Sequence, residues 1–454
     1  TPRISRIPGV EAVVVYGIRY FVQRYLCDFF NEGFFNLRKS NVIGEYKRIM
    51  DSALGEGAID TKHLEDLHEL GYLPVEVKAL PEGSLCPLRV PVLTIKNTHK
   101  DFFWVTNFLE TLLSNALWHP ITTATIAFEY RKILEHAALI SSDQQDFVPW
   151  QGHDFSMRGS SSVQSSCVNG GGHLLSFTGT DTIPAILFLE EVYNGGIDGK
   201  FIGGSVPATE HSVMCLGGKE TERETYRRLL TEVYPSGIVS IVSDTWDYWK
   251  TLTDTIPSLL YEILERDGKF VVRPDSGDPV KIICGDPEAP VGSPAHRGTM
   301  QILWNAFGGK KNSKGYMELN PKIGVIYGDS ITLDRCKEIT ERLMAMGFAS
   351  TNMVYGIGSY TYQHVTRDTF GFAMKATYGI INGKPIEVYK DPLTDGGVKK
   401  SAKGLLKVEN DAGKFVLKEQ VTHEEEKLGC LETVFINSVV TKKPTLTEIR
   451  ERLM

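Results

Sequence analysis

Short apolar runs, each ending in a polar turn and followed by a helix-like stretch, recur along the middle of the chain. Their ends read His153-Asp154-Phe155, Phe177–Asp181, Val206–His211, Ile238–Asp244, Phe270–Asp275, Gly324–Asp329 and Met353–Ser359. The Asp or His markers return roughly every 30 residues, the size of one βα unit. The gap from Asp275 to Asp329 is longer. Its middle, 285–318, is rich in Gly, Pro and Lys and predicts an inserted surface loop. Seven or eight such units predict an α/β architecture with an irregular (β/α)8-type barrel over 150–375; a doubly wound open sheet is the alternative. Either architecture gathers chemistry at the carboxyl ends of the strands, where the polar clusters fall.

The flanks have a different texture. Residues 1–149 predict strands over Val10–Val15, Pro74–Leu80 and Val90–Asn97 and an aromatic-rich helix over Gly17–Phe30. Two further helices are expected near 101–117 and 121–140, with Pro120 near the start of the second. After 375 the chain reads as β-rich. Asn382-Gly383 between two β-like runs is a strong hairpin signal. Leu405–Glu409 and Lys414–Lys418 flank a second turn, Leu431–Val440 reads as a strand, and Thr447 as the cap of a final helix. The tail, 376–454, is expected to pack on 1–149 as one α+β domain, with the barrel inserted between its halves.

Composition narrows the function class. The chain is 42% apolar and 23% charged, which suits a globular core and excludes disorder, collagen-like repeats and a disulfide-stapled miniature. Lys plus Arg is 49 against 56 for Asp plus Glu, a net charge of −7, so bulk nucleic-acid binding is not expected. No apolar run approaches the ~20 residues of a membrane span. The seven cysteines form no CxxC pair and read as free buried thiols of a reducing, cytoplasmic compartment. The chain opens at Thr1 without a charged n-region and apolar h-region, so no signal peptide is read and a preceding segment is expected.

Several strand ends carry groups suited to phosphate and sugar. Arg273-Pro274-Asp275 closes a buried run with a cation, a rigid turn and an anion. An Arg fork fits phosphate oxygens, and a carboxylate accepts from sugar hydroxyls; an Arg–Asp pair that stiffens the turn is the plainer alternative. Gly328-Asp329-Ser330 is a second such end, though Gly-Asp-Ser is also an ordinary turn. Gly356-Ile357-Gly358-Ser359 follows a strand and offers backbone N–H groups to a phosphate. Arg367, Lys375, Lys390, Lys399, Lys400 and Lys403 form a cationic series, most of them better read as a solvated face, and Arg158 is a candidate to join it. His211, beside Glu210 at a strand end, suits a nucleophile or proton carrier. Phe155 suits a platform for a planar ring, and Asp181 an acceptor for a ring substituent. No zinc-type histidine spacing, Walker A motif, GxGxxG or GxSxG is present. Together these residues point to a phosphorylated sugar and a planar base.

At these residues the chain resembles the nicotinamide phosphoribosyltransferase family of bacterial or phage type, one of the type II phosphoribosyltransferases. The matching blocks are HDFSMRGSSS, SFTGTDT, SVPATEHS, VSDTWD, VVRPDSGDP, VIYGDS, YGIGS, VTRD and KDP, in order. The family's Gly-Ser-Gly-Gly-Gly loop reads Gly-Ile-Gly-Ser-Tyr here, and its N-terminal Asp-x-Tyr-Lys segment is not in this sequence. The resemblance implies transfer of phosphoribosyl from 5-phosphoribosyl 1-pyrophosphate to nicotinamide, with Mg²⁺ held mainly by pyrophosphate and ATP as an optional coupling substrate. It implies that Phe155 stacks on the pyridine and Asp181 accepts from the carboxamide. It places Arg273 near ring and phosphates, and Asp275 on the ribose hydroxyls. Gly328, Asp329, Gly358 and Ser359 would contact ribose and 5′-phosphate; Arg158, Arg367, Lys375 and Lys390 would line the phosphate region. His211 matches a phosphorylated histidine, supported by Asp244 and Glu210. Family members are homodimers with shared sites, and Arg3 matches an arginine lent by the neighbouring subunit. The competing expectations are the same chemistry on nicotinate, a non-catalytic homologue, and an unrelated barrel enzyme such as an aldolase using Lys375.

Overall fold

The computed structural model describes residues 1–392 and 400–454. They form two compact units. The first comprises Thr1–Thr125, Leu189–Lys200 and Val365–Met454; the second comprises Ile126–Phe188 and Phe201–His364.

The first unit contains a four-stranded antiparallel sheet in the order Val439–Val440, Glu432–Ile436, Val75–Ala79, Leu93–Asn97. Alternation decides its faces. Val75, Val77 and Ala79 are buried, whereas Glu76 and Lys78 point to the wetter side. There Glu76 meets Lys96 at 2.9 Å and accepts from Thr433 at 2.8 Å, and Lys78 meets Glu426 at 2.6 Å. The C-terminal tail thus pairs directly with a strand near the start of the chain. Val13, Val15, Phe21, Val77, Phe370 and Phe435 belong to one apolar core beneath it.

Local expectations hold at the hairpins and fail at several boundaries. Asn382 and Gly383, with φ of 50° and 76°, turn Tyr378–Ile381 into Lys384–Glu387. Ala412 and Gly413 do the same between Leu405–Asp411 and Lys414–Val421. The expected strand 431–440 is split, because Asn437 and Ser438 both take left-handed φ, 49° and 64°. The two expected helices are one, Glu110–Ser141, which runs through Pro120. Pro120 packs against Gly17, where an added Cβ would sit 3.4 Å from Pro120 Cβ, an ordinary contact distance. The last helix, Leu446–Leu453, is capped by Thr445 and not Thr447: Thr445 Oγ1 accepts from Glu448 N while Glu448 accepts from Thr445 N. Thr447 instead donates to Asp198.

The second unit is built on a parallel sheet. Its strands are β1 (Gly152–Asp154), β2 (Gly179–Thr180), β3 (Ser236–Val242), β4 (Asp267–Arg273), β5 (Ile323–Tyr327) and β6 (Met353–Ile357). Their order is β2-β1-β6-β5-β4-β3. The buried runs Val239–Val242 and Val325–Tyr327 suit a sheet covered on both faces. Six strands, not eight, make this sheet among the described residues, giving a mixed α/β fold with a half-barrel of parallel strands. The seventh expected strand end lies in an extended segment, 204–209. Gly204 bridges Gly179 on β2, and Ala208 bridges Ser240 on β3, so this segment touches both sheet edges.

The expected loop at 285–318 is a helix and a hairpin. Pro294–Phe307 is helical, with Ser293 capping it, Pro294 in its first turn and Gly308 at φ 66° beyond its end. A kink lies within it at Gly298, φ 74°. Gly309–Lys311 then pairs with Met317–Leu319. The Pro and Gly that suggested a loop punctuate regular elements instead. No disulfide forms among the described residues; Cys86, Cys284 and Cys336 are buried as expected, whereas Cys27, Cys167 and Cys430 are half-buried and Cys215 is exposed. No described helix is long and apolar enough to cross a membrane.

Gly83 tests the packing of the first unit. Its φ is +88°, and an added Cβ would lie 2.4 Å from the Ile449 carbonyl oxygen. Gly83→Ala is expected to cost at least about 2 kcal/mol. That loss corresponds to a thermal midpoint lower by about 4–8 °C. An unchanged midpoint in a melting experiment would refute the close approach.

Candidate functional site

The strand ends of the second unit converge on Phe155, which follows β1. Phe155 N donates to Ile357 O at 2.9 Å, tying it to the end of β6. Its ring lies over two residues without side chains. A Cβ at Gly356 would fall 2.6 Å from ring carbons Cδ2 and Cε2, and one at Gly328 would fall 3.5 Å from Cε2. Phe155 lines a cavity of about 880 Å³ together with His153, Asp181, Ser205 and Arg273.

Asp181 follows β2. Its Oδ1 accepts from His153 Nε2 at 2.8 Å and from Ser205 Oγ at 2.5 Å. Burial pushes this carboxyl up. The bonds from His153 and Ser205 and the charge of Arg273 outweigh burial and hold it below the usual aspartate value. Asp181 therefore stays an acceptor. Arg273, at the end of β4, donates through Nη2 to Thr209 O at 3.0 Å. Its Nε is buried and has no hydrogen-bond partner among the described residues, a donor suited to a ligand oxygen.

A second cluster gathers Asp244, Asp275 and His211. Asp244 Oδ2 accepts from Asp275 N at 3.0 Å and from Ser276 Oγ at 2.5 Å, while its buried Oδ1 has no hydrogen bond among the described residues. His211 Nε2 lies 3.8 Å from Asp244 Oδ1 and 3.9 Å from Asp275 Oδ2. Thr245 Oγ1 sits 3.0 Å from His211 Nδ1 and orients the ring. Glu210 occupies the N-cap position of helix His211–Gly217 without a side-chain bond to it. Asp275 is held above its usual value. Burial is the largest cause; the like charges of Asp244 and Asp329 add to it, against Arg273 and His211. Gly328 again leaves space, since a Cβ there would fall 2.5 Å from Asp275 Oδ1. Asp329 is exposed beside it.

Ser359 opens the short helix Ser359–Tyr362 after Gly358. It packs on Gly159, where an added Cβ would lie 2.4 Å from Ser359 Cβ, so the turn carrying exposed Arg158 meets the 358–359 turn. The remaining expected cations belong to the first unit. Arg3 donates through Nε to Gly371 O at 2.7 Å and lines a separate cavity with Lys96, Lys100, Lys375 and Lys400. Arg367 is exposed and 3.6 Å from Asp368, Lys400 is 3.4 Å from Asp391, and Lys403 is 3.9 Å from Glu387. Lys390 is exposed, and Lys399 lies outside the described residues.

Sequence reasoning passed over His153, Ser205, Thr245 and Ser276 as site residues. His153 was within reach of it: alternate residues of a strand share a face, and His153 stands two before Phe155. Ser205 carried no such signal, since its role comes from a segment bridging two distant strands. Among the described residues no group of three or more His, Cys, Asp or Glu is arranged to hold a metal ion.

The arrangement offers a flat aromatic surface, an ionised acceptor, a guanidinium with an unused donor, and carboxylates suited to hydroxyls. The family model described as the nicotinate phosphoribosyltransferase (NAPRTase) family matches residues 150–437. A protein named nicotinamide phosphoribosyltransferase from Acinetobacter baylyi is 52% identical over 100% of this chain and 91% of its own length. One of the same name from Xanthomonas campestris is 36% identical over 84% of this chain and 79% of its own. The solved structure of nicotinate-nucleotide pyrophosphorylase from Pyrococcus furiosus shares the fold, with a TM-score of 0.54 at 14% identity, covering 100% of this chain and 86% of that one.

Asp244→Asn removes a like charge beside Asp275 and is expected to lower the pH at which Asp275 ionises, read by carboxyl carbon NMR. The wild-type sign is set by its raised value. Its neutral form favours the folded chain below the ordinary aspartate value of about 3.9. That contribution is lost as pH rises through the folded value. A titration unmoved by the substitution would sink the coupling.

Proposed function

The chain belongs to the nicotinate phosphoribosyltransferase family, and from that premise we propose that it is a pentosyltransferase of NAD salvage. It transfers phosphoribosyl from 5-phosphoribosyl 1-pyrophosphate to nicotinamide, giving nicotinamide mononucleotide and pyrophosphate. The observation that carries the choice of base is Asp181, kept ionised and facing the cavity beside Phe155. An ionised carboxylate accepts from a carboxamide N–H₂ and repels the carboxylate of nicotinate.

The pyridine nitrogen's lone pair forms the bond to ribose C1′ as the bond from C1′ to the pyrophosphate oxygen breaks. The electron pair leaves on pyrophosphate, and no proton moves. The protein's part is to align the two reactants and to stabilise the departing charge. Phe155 holds the ring, and the unused Arg273 Nε–H serves the ligand oxygens. Asp275, Gly328 and Asp329 serve the ribose, and Gly358 and Ser359 its 5′-phosphate. Arg158, Arg367, Lys375 and Lys390 are assigned to the phosphates, with Arg3 lent by a second subunit in a homodimer with shared sites. The second unit is read as an irregular (β/α)8-type barrel closed by 204–209 and inserted in the α+β unit, and the enzyme as cytoplasmic.

Asp244 has an unpartnered buried Oδ1 and a carboxylate neighbour in Asp275, a hard oxygen donor set that fits Mg²⁺ arriving with the diphosphate. Bound there, Mg²⁺ would supply charge neutralisation for the leaving group. His211 is proposed to accept the γ-phosphoryl group of ATP on a ring nitrogen, releasing ADP, with Asp244 and Glu210 in support.

Product formation with nicotinamide and nicotinate in parallel tests the reading. Mononucleotide is expected from nicotinamide alone, and product from nicotinate alone would overturn the substrate. Asp181→Asn is expected to lower kcat/KM for nicotinamide by about tenfold or more and to admit nicotinate; unchanged discrimination would refute the role of Asp181. Incubation with γ-labelled ATP is expected to leave acid-labile label on the protein that His211→Ala abolishes. Label persisting in that variant would remove His211 from the coupling step.

A further inference from the structure

We propose that His153 is a positioning residue that sets the choice between amide and acid by holding Asp181 charged and aimed. The proposal rests on the reading of Asp181 as the acceptor for a substrate carboxamide.

The ring of His153 is nearly buried, its side chain 11% exposed. One edge lies against β2: a Cβ at Gly179 would fall 2.7 Å from His153 Nδ1. One face tilts onto Phe155, with ring centres 5.0 Å apart and planes at 60°. These two contacts leave Nε2 directed at Asp181 Oδ1, 2.8 Å away. An ionised carboxylate only accepts, so Nε2 carries the hydrogen.

Asp181 Oδ1 thereby takes two donors, from His153 and Ser205, and Oδ2 takes none among the described residues. The two bonds fix the plane of the carboxylate and favour its charged form. Oδ2 is left as the acceptor available to a ligand in the cavity that Asp181 lines. Arg273 adds a favourable charge but no hydrogen bond to Asp181. Without the histidine donor, the carboxyl is free to turn about its remaining bond to Ser205 or to hold a proton. A protonated Asp181 would donate as well as accept, a turned one would no longer aim its charge at the ligand, and in either case the penalty against a carboxylate substrate would shrink. The selectivity therefore depends on a residue assigned no contact with the base.

The test uses two substitutions. His153→Phe keeps an aromatic ring and removes the donor. It is expected to raise KM for nicotinamide by about tenfold or more with kcat little changed, and to narrow the preference over nicotinate. His153→Gln, whose amide reaches the same oxygen, is expected to bring both values back toward wild type. In an Asp181→Asn background, His153→Phe is expected to add nothing, because the residue it acts through is gone. A full effect in that background would show that His153 acts by packing and would overturn the proposal, as would an unchanged KM in the single variant. Ring ¹⁵N shifts of His153, assigned with the Gln variant, separate this from the substrate reading. They are expected to report hydrogen on Nε2 with or without turnover. Hydrogen on Nδ1 overturns the proposal whichever base is used, whereas product from nicotinate alone with hydrogen on Nε2 sinks the substrate reading and leaves the pairing standing.

Discussion

Phe155 occupies space that two other side chains would fill. In a parallel sheet neighbouring strands run ~4.8 Å apart, so a side chain at the end of β1 competes with those at the ends of β6 and β5. Gly356 and Gly328 give up that competition. The ring lies on bare backbone at Gly356, and the Cβ missing at Gly328 also leaves Asp275 its position. Aromatic surface and acid are thus placed by two adjacent bare positions: a methyl at Gly356 would collide with the ring, and one at Gly328 with the carboxylate of Asp275. The rest of the site is arranged around this fixed point: Asp181 reaches in from the strand on one side, Arg273 and Asp275 from the strand beyond β5.

Two carboxylates near that point are driven in opposite directions. Asp181 has two hydrogen-bond donors and a guanidinium charge, which together overcome its burial. Asp275 has burial and two like charges, which together overcome Arg273 and His211. Environments that separate two acids in this way assign them different work. Asp181 is held as a pure acceptor. Asp275 is able to share a proton with a hydroxyl, and its ionisation is eased by any cation that comes to rest beside it. Asp244 reinforces this split: its Oδ2 accepts from Asp275 N and Ser276 Oγ, and its buried Oδ1 has no hydrogen bond among the described residues.

The strand ends were legible because a buried parallel strand is a short apolar run that must stop where the chain turns, and the stops here carry Asp or His. What could not be read locally were contacts between distant segments. Pro120 looked like a helix start, and the helix nevertheless continues through it, packed against Gly17 a hundred residues earlier. Thr447 and Thr445 both resemble caps, and the reciprocal bond to Glu448 selects Thr445. The Pro and Gly of 285–318 suggested a loop, since periodicity does not show that Ser293-Pro294 begins a helix and Gly308 follows it. Phe155, Asp181 and Arg273 could be named from their strand ends. His153 and Ser205 acquire their meaning from Asp181, which the sequence places 28 residues from one and 24 from the other.

The segment 204–209 shows how little regular structure such a role needs. It is not a strand; single bridges and a few backbone bonds join it to both edges of the sheet. Thr180 N donates to Gly204 O at 2.9 Å on one side, and Ser240 N to Pro207 O at 2.9 Å on the other. Thr209 Oγ1 adds a bond from Val242 N at 3.0 Å. Ser205 on this short run holds Asp181, the carbonyl of Thr209 holds Arg273, and His211 follows immediately beside Asp244. The serine that bonds Asp181, the carbonyl that bonds Arg273 and His211 are therefore carried by one stretch of backbone joined to both edges of the sheet. A full strand would have fixed the same residues by a ladder on each side.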